Sequence, residues 1–455
     1  MDDGEAARRH RHRAISGGLT ALAVRLADRL GAASPGRNLA FSPLSVHAAL
    51  SLAAAGAAGG TLDEILAVLG AASRDDLAAF VGRTAETALA DRGPESLGPR
   101  VVFASGVWCD AARPFKPAYR AAVAAEYNAE ATVVDFKNKV GYSILIDAFI
   151  LLLDPSMIDQ CVLDLVSEKA EEARKQINAW ARRATGKLIT DVLPPRSVGP
   201  ETAVVLGNAI YFKGKWDRPF NESDTERKPF YRHDGAAAAA AAAAVADVPY
   251  MSSRSYQRVA VHDVFKVLKL RYRSPRLLRD KRKRGGGGDV GGEFTRYAMA
   301  IFLPDARDGL RGLVERMASR PGFLHEHMPA AWPVPVGEFR VPKFKVSCGG
   351  SVVGALEQLG LRLPFSPELA DLSDMVEDDG SGSPLFVGDV QHKAVIEVNE
   401  EGTVAAAATM TRMLPSGVPP PPVDFVADHP FAYFIVEEMS SAVVFARHIV
   451  DPSME

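Results

Sequence analysis

The chain has 455 residues, is 47% hydrophobic and 24% charged, and carries a formal net charge of -3 at pH 7. That composition suits a globular chain with a sizeable core and excludes a disordered or overall basic protein, while leaving room for a local basic patch. The three cysteines, Cys109, Cys161 and Cys348, are far apart and odd in number, so neither a disulfide framework nor a Cys/His zinc site is encoded.

The first eighteen residues contain no apolar core and no cleavage pattern, so they do not read as a signal peptide. Residues 15–31 have helical spacing, with Leu19, Leu22, Leu26 and Leu30 on one face. A turn at Ser42-Pro43 precedes an Ala/Leu helix that stops at Gly56. A second helix is expected near Thr61, with Glu64 completing a capping box. Residues 101–110 (VVFASGVWCD) and 203–216 (AVVLGNAIYFKGKW) read as buried strands. Residues 173–186 read as an amphipathic helix ended by Gly186. Strands follow at 297–305, ended by Pro304, and at 339–347, which alternates as a half-buried strand does. FAYFIVEE and AVVFARHIV near the C-terminus are two more. Helices come first and strands dominate later, which predicts an α+β domain with large sheets. The most apolar run, residues 144–153, is far below the roughly 18–20 residues of a membrane span. The expectation is a soluble cytoplasmic monomer with no membrane partner, with nuclear or unconventional extracellular presence left open.

Two segments read as inserted loops: nine alanines at 236–244, and a basic run with a glycine tract at 271–292. The basic part, Arg271 to Arg284, suits nuclear import or a polyanion, although a solvated loop without partner explains it more simply. No GxSxG, HExxH or complete phosphate-loop pattern is present, so nothing local marks an enzyme, and no metal or cofactor is expected.

Residues 400–424, from EEGTVAAAATMTRMLPSG into a block of four prolines, are more informative. If 403–414 formed a strand, one face would hold Thr403, Ala405, Ala407, Thr409, Thr411 and Met413, none of them charged. The segment's single charge, Arg412, falls on the other face. Alone the segment is a poor strand, because alanines favour helix and the prolines enforce an extended tether. The residues therefore fit a loop that can insert as a strand, and equally a plain linker.

Four blocks resemble the serpin family, and plant serpins in particular: NLAFSPLSVHAALSLAAAGAAGGT, GNAIYFKGKW, VQHKAVIEVNEEGT and VDFVADHPFAYFIVEE. The resemblance implies a single serpin domain over 1–455, with about nine helices, three β-sheets and an exposed reactive-centre loop. It implies a suicide inhibitor of a serine or cysteine endopeptidase. The loop is cleaved, then inserts into the main sheet and holds the protease in a covalent complex. The resemblance also implies the residue roles. Asn38, Ser42, Ser45, Asn208 and His392 would form a polar cluster beneath the opening region of the sheet. Trp216, Lys343 and Glu400 would mark where the loop enters. Glu400, Glu401, Gly402, Thr403 and the alanines Ala405, Ala406, Ala407 and Ala408 would be the hinge. Family spacing places the reactive bond at Ser416-Gly417, with Leu414, Met413 and Arg412 as alternatives. A non-inhibitory storage or binding protein of the same fold is the alternative function.

Some residues depart from the family pattern. Val404 replaces a usual Glu. Ser441 and Arg447 stand where Gly is usual, and a buried Arg447 would be destabilising. Residues 140–169 have no family counterpart. Their first residue is Val, with a GT-initial codon, and their last is Lys, whose codon can end in AG, so the stretch reads as a translated, retained intron.

Overall fold

The computed structural model describes residues 3–34, 36–91, 93, 98–136, 155–199, 202–232, 245–274, 295–330, 332–378, 380, 385–402 and 421–454, without the side chains of 3–10, 13, 155–167, 245 and 348. Among these residues there are nine α-helices, in chain order α1 Asp3–Ala33, α2 Pro43–Gly56, α3 Gly59–Leu69, α4 Arg74–Glu86, α5 Pro117–Glu126, α6 Pro155–Ala184, α7 Leu310–Ser319, α8 Phe323–Glu326 and α9 Val353–Gln358. The strands are β1 Leu39–Phe41, β2 Arg100–Asp110, β3 Glu130–Val134, β4 Val204–Lys213, β5 Glu226–Tyr231, β6 Val245–Ser252, β7 Arg258–Val261, β8 Phe265–Arg271, β9 Tyr297–Pro304, β10 Val336–Pro342, β11 Phe344–Ser351, β12 Val387–Val398, β13 Val423–Val426, β14 Phe431–Glu437 and β15 Val443–Ile449.

The strands build three sheets: six-stranded β1-β15-β14-β9-β8-β7, four-stranded β13-β10-β6-β5, and five-stranded β11-β12-β4-β2-β3. This is the α+β fold expected from the residue pattern. Strand β4 of the five-stranded sheet is buried on both faces over most of its length, whereas Lys345 and Ser347 of β11 and Glu397 of β12 are exposed. Val204, Leu206, Ile210 and Phe212 of β4 point into the large core shared with the other sheets. Val205 and Ala209 of the same strand face a second core under α6, with Ala173, Ile177 and Trp180. Period-two alternation explains why one strand supplies both cores.

Three local expectations change. Helix α3 starts at Gly59, earlier than Thr61, and Ala58 at its N-cap makes no side-chain cap. Thr61 and Glu64 form no capping box. The Thr61 hydroxyl accepts from the Asp371 N–H at 2.9 Å, and Glu64 accepts from the Arg362 and Leu363 N–H groups at 2.9 and 2.8 Å. The alternating run at 339–347 is two strands, β10 and β11, in different sheets and broken at Lys343. Finally, α6 reaches back to Pro155, so the second half of the 140–169 stretch is continuous with the helix expected at 173–186. Residues 140–154, 236–244 and 275–292 lie outside the described residues.

Candidate functional site

The centre of the five-stranded sheet is a parallel pair, β12 and β4, which pairs from Val387↔Val204 to Val395↔Tyr211 with a register shift between Val387 and Asp389. Above that level the strands turn to their other neighbours. Ile396, Glu397 and Val398 pair with β11, and Phe212 and Lys213 pair with β2. Just beyond β12 the chain reverses. The Gly402 N–H donates to the Asn399 carbonyl at 3.1 Å, and the two residues form an isolated bridge. Gly402 has φ +90°, and a Cβ there would stand 2.4 Å from the Trp216 nitrogen. Only glycine meets both demands.

This turn is held from the opposite strand's continuation. Trp216 Nε1 donates to the Asn399 carbonyl at 2.9 Å, the Trp216 N–H to the Glu401 carbonyl at 3.0 Å, and the Phe220 N–H to the Glu400 carbonyl at 2.8 Å. The Trp216 ring stacks on Tyr272 with centroids 4.5 Å apart. Glu400 is buried, with one carboxylate oxygen 2.8 Å from Lys343 Nζ and the other accepting from the Thr225 hydroxyl at 2.7 Å. Burial pushes this carboxyl up, but the Lys343 and Thr225 hydrogen bonds outweigh it and hold it below its ordinary range. Trp216, Lys343 and Glu400 therefore meet at the top of the sheet. Asn399, Thr225 and Tyr272 complete the arrangement and were missed, because ordinary polar and aromatic residues carry no motif for it.

Lower along the same pair of strands, Ser42, Ser45, Asn208 and His392 come together, all buried. Ser42 caps α2 by accepting from the Ser45 N–H at 3.2 Å. The Ser42 N–H donates to His392 Nε2 at 2.9 Å, which fixes the tautomer: Nε2 carries the lone pair and Nδ1 the proton. Nδ1 then donates to Asn208 Oδ1 at 2.6 Å, which also accepts from the Ser45 hydroxyl at 2.6 Å. Asn208 Nδ2 donates to the Ser45 carbonyl at 2.9 Å. His392 and Asn208 are register partners on β12 and β4, so this cluster straddles the parallel seam. Burial lowers the His392 pKa to about 3.

Asn38 is a correction, since it does not join this cluster. Its amide donates to the Asp451 and Met454 carbonyls at 2.7 and 2.8 Å and accepts from the Val450 and Asp451 N–H groups, tying β1 to the C-terminal segment. Its nearness in sequence to Ser42 hides the intervening strand β1, which carries the chain away. Arg447 is fully buried, as its place in the last strand threatened, but its guanidinium donates to the Val346 carbonyl at 2.7 Å and lies 5.9 Å over the Tyr433 ring, bridging two sheets. Ser441 takes φ +62° in the β14–β15 turn, which accounts for the usual glycine there.

On the outer face, Gly106 and Gly207 are register partners on β2 and β4, and the Trp108 ring lies across both. A Cβ at either would meet that ring at 2.7 or 2.8 Å. Trp180 of α6 packs edge-on against Trp108 at 4.8 Å and donates its Nε1 to Glu130 at 2.8 Å. A glycine inside each strand pattern was the available signal for this close packing. The expected Thr403, the alanines Ala405 to Ala408, and the bond candidates Arg412, Met413, Leu414, Ser416 and Gly417 lie outside the described residues, as does Val404. Cys109 is buried, and burial pushes its thiol up to about 12, which leaves it unreactive. No helix among the described residues is long and apolar enough to cross a membrane, and no group of three metal-ligating side chains occurs among them.

The sequence and the fold were compared with known proteins. The family model described as serpin (serine protease inhibitor) matches residues 18–151 and 156–452. Serpin-Z8 of Oryza sativa subsp. japonica is 91% identical over 455 residues, covering 100% of both chains. Serpin-Z2A of the same organism is 45% identical, covering 96% of this chain and 97% of its own. Among solved structures, Arabidopsis AtSerpin1 in its native stressed conformation has 33% identity and a TM-score of 0.78, covering 97% of this chain and 99% of its own. With a match that spans almost every element described above, the chain belongs to the serpin family.

Proposed function

We propose that this serpin is a suicide-substrate inhibitor of serine or cysteine endopeptidases. The observation that carries the reading is the seam between β12 and β4. Two parallel central strands pair only up to Val395↔Tyr211, and the chain leaving β12 reverses at Gly402 directly beside the gap above them. A strand continuing from that reversal would run antiparallel to β12 and therefore antiparallel to β4. Its insertion would replace one parallel ladder with two antiparallel ones, which are slightly more stable per residue. Each added backbone hydrogen bond contributes about 0.5–1.5 kcal/mol net. The inward parity of residues 403–413 carries no charge, as a face turned to the core requires, and Arg412 falls on the other face.

Before insertion, Glu400 with Lys343 and Thr225, and Trp216 with Asn399 and Glu401, hold the hinge outside the seam. The Ser42, Ser45, Asn208 and His392 network holds the seam shut below. A protease acylated at the loop, with Ser416-Gly417 the bond indicated by spacing, would be carried with the inserting strand and trapped as an acyl-enzyme. The test is incubation with elastase-like, chymotrypsin-like, trypsin-like and papain-like proteases, followed by denaturing electrophoresis. An SDS-stable complex with at least one enzyme is expected, and Thr403→Arg, which puts a charge on the buried parity, should convert inhibition to plain cleavage. Cleavage by every enzyme with no stable complex would favour a storage or binding role instead.

A further inference from the structure

A cleft of about 350 Å³ lies between the second half of α6 and the returning segment at Thr190 and Asp191. Hydrogen bonds fix the spacing of its walls. Asn178 of α6 is buried. Its Oδ1 accepts from the Val192 and Leu193 N–H groups at 2.8 and 2.9 Å, and its Nδ2 donates to the Leu193 carbonyl at 2.9 Å. Arg174 Nη1 donates to the same carbonyl at 2.9 Å, while its other two nitrogens donate to Glu171 at 2.8 and 2.5 Å. Three cations, Arg174, Lys175 and Arg182, line the cleft against one carboxylate, Asp191. The carboxylates of the region are already engaged. Glu171 accepts from Arg174 and also feels the charge of Lys175, one turn on. Asp191 accepts from the Thr190 hydroxyl at 2.8 Å and lies 4.0 Å from Lys393 Nζ. Arg182 forms no ion pair with a described residue. The negative end of α6 favours a cation there but supplies no counter-ion. Counting Lys393, four cations meet two carboxylates, an excess of two positive charges around the opening.

We propose that this cleft binds the phosphate chain of an oligophosphate, held between Lys175 and Arg182. The two residues are seven apart, hence on one face of the helix and about 10 Å apart along its axis. An extended polyanion reaches both cations at once, whereas a single phosphate pairs fully with only one. The volume is in the range of small-ligand sites and more than ten times the share of one water. Lysine and arginine supply donors suited to phosphate oxygens, and Arg174, pinned by Glu171 and the Leu193 carbonyl, keeps its charge at the wall of the cleft. Among the described residues no aromatic side chain lines the cleft, so nothing there would stack on a base. Phosphates, and not a nucleoside, are what the lining recognises. The site shares no residue with the basic tract Arg271 to Arg284 or with the hinge.

The test is calorimetric titration of the full chain with tripolyphosphate, with adenosine triphosphate and with inorganic phosphate, all at one ionic strength set with sodium chloride. One-to-one saturable binding of tripolyphosphate is expected, with adenosine triphosphate similar and inorganic phosphate clearly weaker. Lys175→Gln with Arg182→Gln should weaken tripolyphosphate about tenfold, the upper range for losing two partly exposed charge contacts. Lys175→Arg with Arg182→Lys keeps both charges and should keep most of the affinity, which separates charge from folding. Two control variants locate the site: Arg183→Gln with Lys187→Gln, cations of the same region that do not line the cleft, and a chain with residues 276–292 shortened. Each should stay within about threefold of the parent, as expected for changes outside the contact set. Absence of saturable binding, inorganic phosphate binding as tightly as tripolyphosphate, binding unchanged in the Lys175 and Arg182 double Gln variant, or an equal loss in either control would each overturn the proposal.

Discussion

Acidification from pH 7.5 to 5.5 should weaken the fold through its buried imidazoles. His47, His392 and His448 are buried, and burial pushes their pKa values down from 6.5 to about 4, about 3 and about 4. His392 is constrained further, because its Nε2 must keep a lone pair for the Ser42 N–H. A proton there would set two donors against each other at the β12–β4 seam. In the unfolded chain the same rings titrate near 6.5. Between pH 6.5 and about 4 the unfolded state therefore binds more protons than the folded one, and stability falls as pH falls through that window. At pH 5.5 each ring lowers stability by about 1.4 kcal/mol relative to pH 7.5, and the three together by about 4 kcal/mol. With an unfolding entropy of about 2.1 cal/mol/K per residue, a chain of this length loses about 4 °C of thermal midpoint. Glu400 and Glu438, whose pKa values are lowered from 4.5, begin to lose their contributions only near that pH, so they leave the interval from pH 7.5 to 5.5 undisturbed. Calorimetric unfolding at pH 5.5 in two buffers of different ionisation enthalpy counts the protons directly. The three rings should take up about 2.7, and His392→Asn should remove about 0.9 of them. An uptake below one proton, or one unchanged in His392→Asn, would refute the account of these rings as neutral in the native state.

Lys343→Met leaves the buried Glu400 carboxylate with Thr225 alone. The Lys343 side chain is 34% exposed, so solvent screening puts the cost at about 2–3 kcal/mol, the low side for a broken buried pair. Adding Glu400→Gln should recover more than half of that in a double-mutant cycle of unfolding. Gly402→Ala combines a φ of +90° with a Cβ 2.4 Å from the Trp216 nitrogen, so the hinge must leave its place. Limited proteolysis after residue 402 should accelerate and tryptophan emission should shift; a variant with unchanged rates and emission would contradict the packing at Trp216. Ser441→Gly relieves a φ of +62° and should raise stability by about 0.5–1 kcal/mol, seen as a slightly higher thermal midpoint. If residues 140–169 are a translated, retained intron, transcript sequencing will find the majority message joining residue 139 to residue 170. A majority message that contains the segment sinks that reading.

Much of this protein is written locally. The alternation in AVVLGNAIYFKGKW and the apolar runs near the C-terminus specify buried strands because side-chain direction in a strand has a fixed period. Ser42-Pro43 sets the start of α2 because its hydroxyl can cap and its successor needs no N–H. Parity alone placed Arg412 opposite the uncharged face of residues 403–413. Other features exist only once distant segments meet. The break at Lys343, which sends β10 and β11 into different sheets, is invisible in a run that alternates straight through it. Thr61 and Glu64 have the spacing of a capping box, yet their oxygens are taken by the N–H groups of residues 362, 363 and 371. Asn38 stands four residues before Ser42 and binds the C-terminal segment instead of the cluster at the seam. The partners of Glu400 and the tautomer of His392 were decided the same way. Strand and helix periods are properties of neighbouring residues, so sequence alone determines them. A hydrogen-bond partner or a local charge excess depends on which surfaces packing brings within a few ångströms, and only the tertiary structure decides that.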